Sequence, residues 1–216
     1  MYSLGLMSSL TTLQHDGSAV LMKDSKVIFA IEEERLSRNK HAISEIPINS
    51  IKAALKYKNL QMKDIKSVHV SSTSKDLKKR VESYLIHHFG YSPDVILENH
   101  HLCHMASSFF HSGFKESMIV SIDGVGDKVS TALGFGRANK IKILETKGLV
   151  QSLGIFYQTM TQLLGFNSVG DEYKLMGISA YGKKRIDLDK IIKLESVDFK
   201  INKSFYRKRL TYHNFS

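Results

Sequence analysis

The chain has 216 residues, 42% of them hydrophobic and 24% charged, with 31 Lys+Arg against 21 Asp+Glu and a net charge of +10. That profile belongs to a globular protein able to bury a sizeable core, and it excludes the low-complexity and disordered classes. The single cysteine, Cys103, excludes an internal disulfide framework and fits a reducing compartment. No apolar run reaches membrane-spanning length. The start, MYSLGLMSSLTTLQHDG, lacks the basic and apolar regions of a secretory signal, so a cytoplasmic protein without a membrane partner is expected. The lysines are scattered, without the aromatic–basic interleaving of RNA-binding segments. We read the charge as a solvated surface rather than a nucleic-acid footprint. Much of the excess follows Gly182, in KKRIDLDKIIK and SFYRKRL.

Along the chain, YSLGLM predicts a buried strand. A polar turn, HDG, leads to SAVLMK, and KDSK turns the chain into VIFAIEEE. A helix follows near Pro47, with Ile48, Ile51, Ala54 and Leu55 on one face. KSVHVSS reads as a strand and DLKKRVESYLIHHFG as an amphipathic helix with the stripe Leu77, Val81, Tyr84 and Leu85, stopped at Gly90. DVILE is a short strand, and ENHHLCHMASSFFHSGF a helix ending at Gly113. The pattern then restarts: SMIVSIDG, KVSTALGFG and KIKILETKG are three strands, followed by helices over Leu153–Leu164 and Glu172–Ala180.

A three-strand meander followed by helices thus occurs twice, from near Tyr2 and near Ser117. It predicts an α/β protein of two related lobes, residues 1–114 and 115–216. Each meander places a small, acidic turn after its first strand: His15-Asp16-Gly17-Ser18 and Asp123-Gly124-Val125-Gly126-Asp127. Such turns let a backbone approach phosphate oxygens and put a carboxylate beside a ligand. They are equally the commonest hairpin signal.

The stretch Glu98–Ser107, ENHHLCHMAS, holds three histidines within five positions. In a helix, His100 and His104 share a face one turn apart, while His101 and His104 form a second possible pair. A third metal ligand is needed, and Asp123 at the end of the next strand is the candidate. Two imidazoles and a carboxylate suit non-haem iron, zinc or manganese. The alternative is a half-exposed polar helix face. The glutamate of an HExxH metalloprotease is absent. Cys103 reads as a small buried residue.

The run EEERLSRNKH, Glu32–His41, reads as the solvated edge of a strand, or else as an anion clamp using Arg35, Arg38 and Lys40. His15 beside Asp16 could be a general base held by a carboxylate. GDEYKLMGISAYG surrounds Lys174 with three glycines. It could offer amides and a cation to an anion, or be a short core helix.

Taken in order, HDGSA, EEERLSRNKH, NHHLCHMASSFFHSGF, SIDGVGD, SLGIFYQTMTQLLGF and EYKLMGISAYG resemble the N-terminal part of the O-carbamoyltransferases of the NodU/CmcH type, from about Leu4 to Gly182 and more weakly to Phe205. The resemblance implies a duplicated ribonuclease-H-like domain of the actin-like ATPase (ASKHA) class, similar to the tRNA threonylcarbamoyl-transfer proteins. It further implies an incomplete second lobe here and a YrdC-like domain lying outside this chain. That domain makes carbamoyl-adenylate from carbamoyl phosphate and ATP. The N-terminal domain passes the carbamoyl group to a hydroxyl of a small molecule or glycan, with iron (Fe2+) nearby. By resemblance His100, His104 and Asp123 are metal ligands, His15 deprotonates the acceptor, Lys40 contacts the adenylate, and Lys174 and Gly177 belong to a nucleotide-side motif. Asn99 stands where many members have Asp or Gln. A separate chain carrying the remaining part is an expected partner. The competing readings are a non-catalytic nucleotide- or partner-binding module and a relative of the tRNA-modifying proteins.

Overall fold

The computed structural model describes residues 1–7, 15–167, 170–183, 187–195 and 198–202. The motif SFYRKRL and part of KKRIDLDKIIK lie outside the described residues. The chain divides into two compact units, residues 1–103 and 104–216.

In the first unit β1 (Tyr2–Met7), β2 (Ser18–Lys23) and β3 (Lys26–Glu32) form an antiparallel meander. The short helix α1 (Glu33–Ser37) and a 3-10 turn (Lys40–Ala42) lead to α2 (Ile48–Tyr57). Strands β4 (Ile65–Ser71) and β5 (Asp94–Glu98), separated by α3 (Lys75–Phe89), complete a five-stranded sheet of order β3-β2-β1-β4-β5. β4 runs parallel to β1, pairing Leu4 with Val68 and Leu6 with Val70. Those four side chains, with Ala19 and Leu21, meet Ile51, Ala54 and Leu55 of α2 and Leu77, Val81 and Leu85 of α3 in one core. The expected stripes are therefore the buried faces. Gly90 closes α3 in the left-handed conformation at φ 70°, which a residue without Cβ adopts at least cost.

The expected charged strand edge is only half right. The strand ends at Glu32, and Glu33 opens α1 with 1% exposure. Its carboxylate accepts from Asn49 N (3.2 Å) and Nδ2 (2.6 Å), and from Ser50 N (2.8 Å) and Oγ (2.6 Å). Asn49 and Ser50 lie in the first turn of α2, whose amides have no partner within the helix. Glu33 satisfies them from outside and sets a negative charge at the positive end of the helix. Burial, and then the Glu33 charge, keep the phenol of Tyr84 protonated well above its ordinary range.

The helix α4 (His100–Phe109) is continuous across the point where the chain divides. It ends four residues earlier than the sequence suggests, where the chain turns through Phe110 to Gly113. The second unit holds β6 (Glu116–Gly126), β7 (Val129–Arg137) and β8 (Lys140–Gly148) as a second antiparallel meander, then α5 (Leu153–Leu163), α6 (Glu172–Ser179) and the hairpin β9 (Ile192–Glu195) and β10 (Asp198–Ile201). The hairpin was not expected from the sequence. Ile201 is buried in a cluster with Phe156 of α5, and the Gln151 side chain grips its backbone at 2.8 Å. Met105 and Phe109 of α4 seat on β7 at two glycines. A Cβ on Gly134 would lie 2.7 Å from Met105 Sδ, and one on Gly136 2.8 Å from the Phe109 ring. Among the described residues, no helix is long and apolar enough to cross a membrane.

Candidate metal centre and proton-transfer site

Asn99 starts α4: its Oδ1 accepts the Leu102 N–H at 2.9 Å and its carbonyl the Cys103 N–H at 3.0 Å. An asparagine cap at this point satisfies the helix start and fixes the azimuth of the histidines after it. His100 and His104 then project from one face, one turn apart. His101 turns inward and is 1% exposed, which removes the alternative pair His101 and His104. Cys103 is half-buried, less enclosed than expected.

Asp123 lies on β6. Its Oδ1 accepts the Gly124 N–H at 2.6 Å, while its Oδ2 lies 3.5 Å from His104 Nε2. His100, His104 and Asp123 each offer a ligand atom, all within 4.8 Å of one another. Metal bonds of about 2.0–2.2 Å require ligand atoms no more than about 4.4 Å apart, a small side-chain adjustment from this arrangement. Two imidazoles and one carboxylate fit a divalent transition metal with coordination positions left for substrate.

The backbone of Asp123 is locked from the opposite side. Ser152 caps α5, accepting the Ile155 N–H at 2.9 Å, and its hydroxyl lies 2.7 Å from Gly124 O and 3.2 Å from Asp123 O. Two residues on, a Cβ at Gly154 would lie 2.6 Å from both Asp123 O and Gly124 N. The first turn of α5 thus rests directly on the peptide that presents the carboxylate.

In the first unit His15 Nδ1 lies 2.7 Å from Asp16 Oδ2, and His41 Nδ1 lies 3.0 Å from Asp16 Oδ1. Burial raises the Asp16 pKa, but the two imidazole hydrogen bonds outweigh it and hold the carboxyl below its ordinary value. Asp16, Glu34 and His41 also bring three ligand atoms together. Their carboxylate oxygens are already engaged: Asp16 by both imidazoles, Glu34 by the His41 N–H at 2.7 Å and by Arg35 Nη2 at 3.2 Å. This cluster is a hydrogen-bond network, and a metal would have to displace four contacts.

Residues 7–91 and 87–216 match the family described as carbamoyltransferase N-terminus. The chain belongs to this family. Nodulation protein NolNO of Sinorhizobium fredii is 36% identical over 194 residues, 79% of this chain and 28% of its own length. Nodulation protein NolO of Bradyrhizobium diazoefficiens is 40% identical over 84 residues, 39% of this chain and 15% of its own length. The carbamoyltransferase N-terminal chain therefore spans under a third of these two relatives. Among solved structures, YeaZ from Pseudomonas aeruginosa aligns with a TM-score of 0.40 at 10% identity, covering 67% of this chain and 64% of that one.

The remaining carbamoyltransferase motif residues are placed locally. Lys40 opens the 3-10 turn next to His41. Lys174 lies in the first turn of α6 and pairs with Asp171 at 2.7 Å. That hydrogen bond is the main cause raising the Lys174 pKa and lowering that of Asp171. Gly177 is mid-helix, and a Cβ there would meet nothing within 4 Å among the described residues. The local structure of this stretch is a short helix, not a glycine-rich anion loop. His15 and Lys40 fall in the first unit; His104, Asp123, Lys174 and Gly177 fall in the second. Sequence reasoning missed Ser152 and Gly154, and noted Asn99 only as a departure from the family pattern, not as a helix cap. A serine just before an apolar run, and a glycine inside a helical pattern, were the available signals.

Proposed function

We propose that this chain carries the carbamoyl-transfer part of an O-carbamoyltransferase of duplicated, actin-like fold. The donor is carbamoyl-adenylate, made from carbamoyl phosphate and ATP, and the acceptor is a hydroxyl of a small molecule or glycan. The observation that carries this reading is the 2.7 Å contact of His15 with Asp16 in a chain of this family. The repeated meander, with the same antiparallel order in both units, supports the fold.

An ionised carboxylate only accepts hydrogen bonds, so a neutral His15 donates through Nδ1 and keeps the lone pair on Nε2. The side chain is about half exposed, at 48%, and open to an acceptor. Nε2 takes the hydroxyl proton as the acceptor oxygen bonds to the carbamoyl carbon. The bond from that carbon to the adenylate phosphate oxygen breaks, and AMP leaves with the electron pair. Lys40 faces the charge that develops on the AMP phosphate. An iron ion on His100, His104 and Asp123 would supply Lewis-acid polarisation of a carbamoyl or phosphate oxygen. The polypeptide corresponding to the remainder of the relatives would supply the adenylate.

Two measurements test this. With the remaining part supplied in trans, His15→Ala should retain carbamoyl-adenylate formation and lose carbamoyl transfer by about 10²–10⁴-fold. Unchanged transfer would refute the role of His15 as the base. Separately, the purified chain should hold about one iron per molecule, and His104→Ala should lose it. Equal metal content in the two proteins would dismiss the centre.

A further inference from the structure

Among the described residues, the buried Nε2 of the His41 imidazole has no hydrogen-bond partner. Asp16 Oδ1 can only accept, so the ring places a proton on Nδ1 facing it, and the Nδ1–H tautomer puts no unsatisfied N–H at the buried Nε2. The backbone doubles this link: Asp16 N–H donates to the His41 carbonyl at 2.6 Å. Glu34 Oε2 holds the His41 N–H at 2.7 Å, and the Glu34 carboxylate is itself paired with Arg35. Glu33 N–H ties the next residue of the turn, Gly17, at 2.7 Å.

The segment that delivers His41 is strained. Arg38, His41, Ala42 and Ser44 all have φ between 43° and 64°, and Asp16 opposite has φ 54°. Left-handed backbone costs a β-carbon-bearing residue of order 1–2 kcal/mol per position and persists where surrounding contacts over-determine it. Four such residues within seven positions mark a segment held for something other than its own stability.

We propose that His41 is a positioning residue for His15. By donating to Oδ1 it fixes the rotation of the Asp16 carboxylate, so that Oδ2 stays aimed at His15 Nδ1. His15 is thereby held in the Nδ1–H tautomer, with Nε2 as the proton acceptor. A free imidazole prefers the opposite tautomer, so the clamp has a definite task. Lys40 adjoins His41 on the same strained turn. The residue assigned to the adenylate and the clamp on the base thus share one backbone segment. This inference rests on the reading of His15 as the base and adds the device that aims it.

Imidazole nitrogen NMR on the purified chain tests the clamp without any activity assay. At a pH where His15 is neutral, its Nδ1 should show the shift of a protonated nitrogen and its Nε2 that of an unprotonated one. In His41→Ala the population should move to a mixture dominated by the Nε2–H form. His41→Gln, which keeps an N–H donor, should recover part of the original population. Amide spectra report whether each variant is folded. If His41→Ala does not fold, the wild-type tautomer and the partial effect of His41→Gln decide. An Nε2–H form in the wild type, or an unchanged tautomer in folded variants, would overturn the proposal. The outcome is separate from that of His15→Ala, which tests the base itself.

Discussion

Gly154→Ala is expected to destabilise the second unit by about 3 kcal/mol, although an alanine in a helix normally gains about 1 kcal/mol over glycine. The two effects have opposite signs, and the contact distances decide between them. The added Cβ would lie 2.6 Å from Asp123 O and Gly124 N and 2.7 Å from Asp123 C, all backbone atoms. A flexible side chain could move aside; a strand peptide already held by Ser152 at 2.7 Å cannot do so cheaply. Either α5 lifts from β6 or the Asp123 peptide rotates. Both outcomes displace the carboxylate from His104, so the variant should also lose the metal proposed for that centre. Urea unfolding followed by far-UV dichroism, with metal analysis on the same samples, reads both. A variant as stable as wild type, with equal metal, would mean that the contact between α5 and Asp123 is looser than the structure has it.

The second large effect is at Glu33. Glu33→Ala removes the acceptor for four donors, two of them amides in the first turn of α2. With the residue 1% exposed, water cannot replace it without opening the core edge. Breaking a buried charged network of this kind costs about 3–5 kcal/mol. Glu33→Gln keeps the shape but exchanges one acceptor oxygen for a donor and removes the charge at the helix start. It should cost roughly half as much. Denaturant midpoints for the three proteins check the order wild type, Gln, Ala. A Glu33→Ala cost below about 1 kcal/mol would show that the network has no net stabilising role.

Both effects fall on residues whose importance is invisible in one dimension. The helices α2, α3 and α5 were legible because apolar residues such as Ile51, Ala54 and Leu55, or Leu77, Val81 and Leu85, recur at helical spacing. The eight strands of the two meanders and their partners were legible from short apolar runs between turn residues. The β9–β10 hairpin was missed because IKLE and DFKI carry a charge every second or third residue, and their burial comes from Phe156 and Gln151, far away in sequence. EEERLSRNKH reads as solvent-facing because charge density is all that a run shows. Only the fold separates the buried Glu33 from the exposed Glu32 and Arg35 beside it.

The candidate site divides in the same way. Spacing alone put His100 and His104 on one helix face, the end of the next strand supplied Asp123, the neighbouring Asp16 pointed to His15, and the ordered motifs gave these residues a chemistry. Helix periodicity is a local property, fixed by about 3.6 residues per turn wherever the chain folds. The sequence by itself thus determined the α/β class, the repeated meander, the family and which residue types stand ready for chemistry. The tertiary structure decided which of them meet. It turned His101 into the interior, set Asp123 3.5 Å from His104, and brought His41 across 25 positions to Asp16. It did so because hydrogen-bond geometry is satisfied in space, between segments that only the packing of sheet, helix and strained turn can bring within about 3 Å of each other.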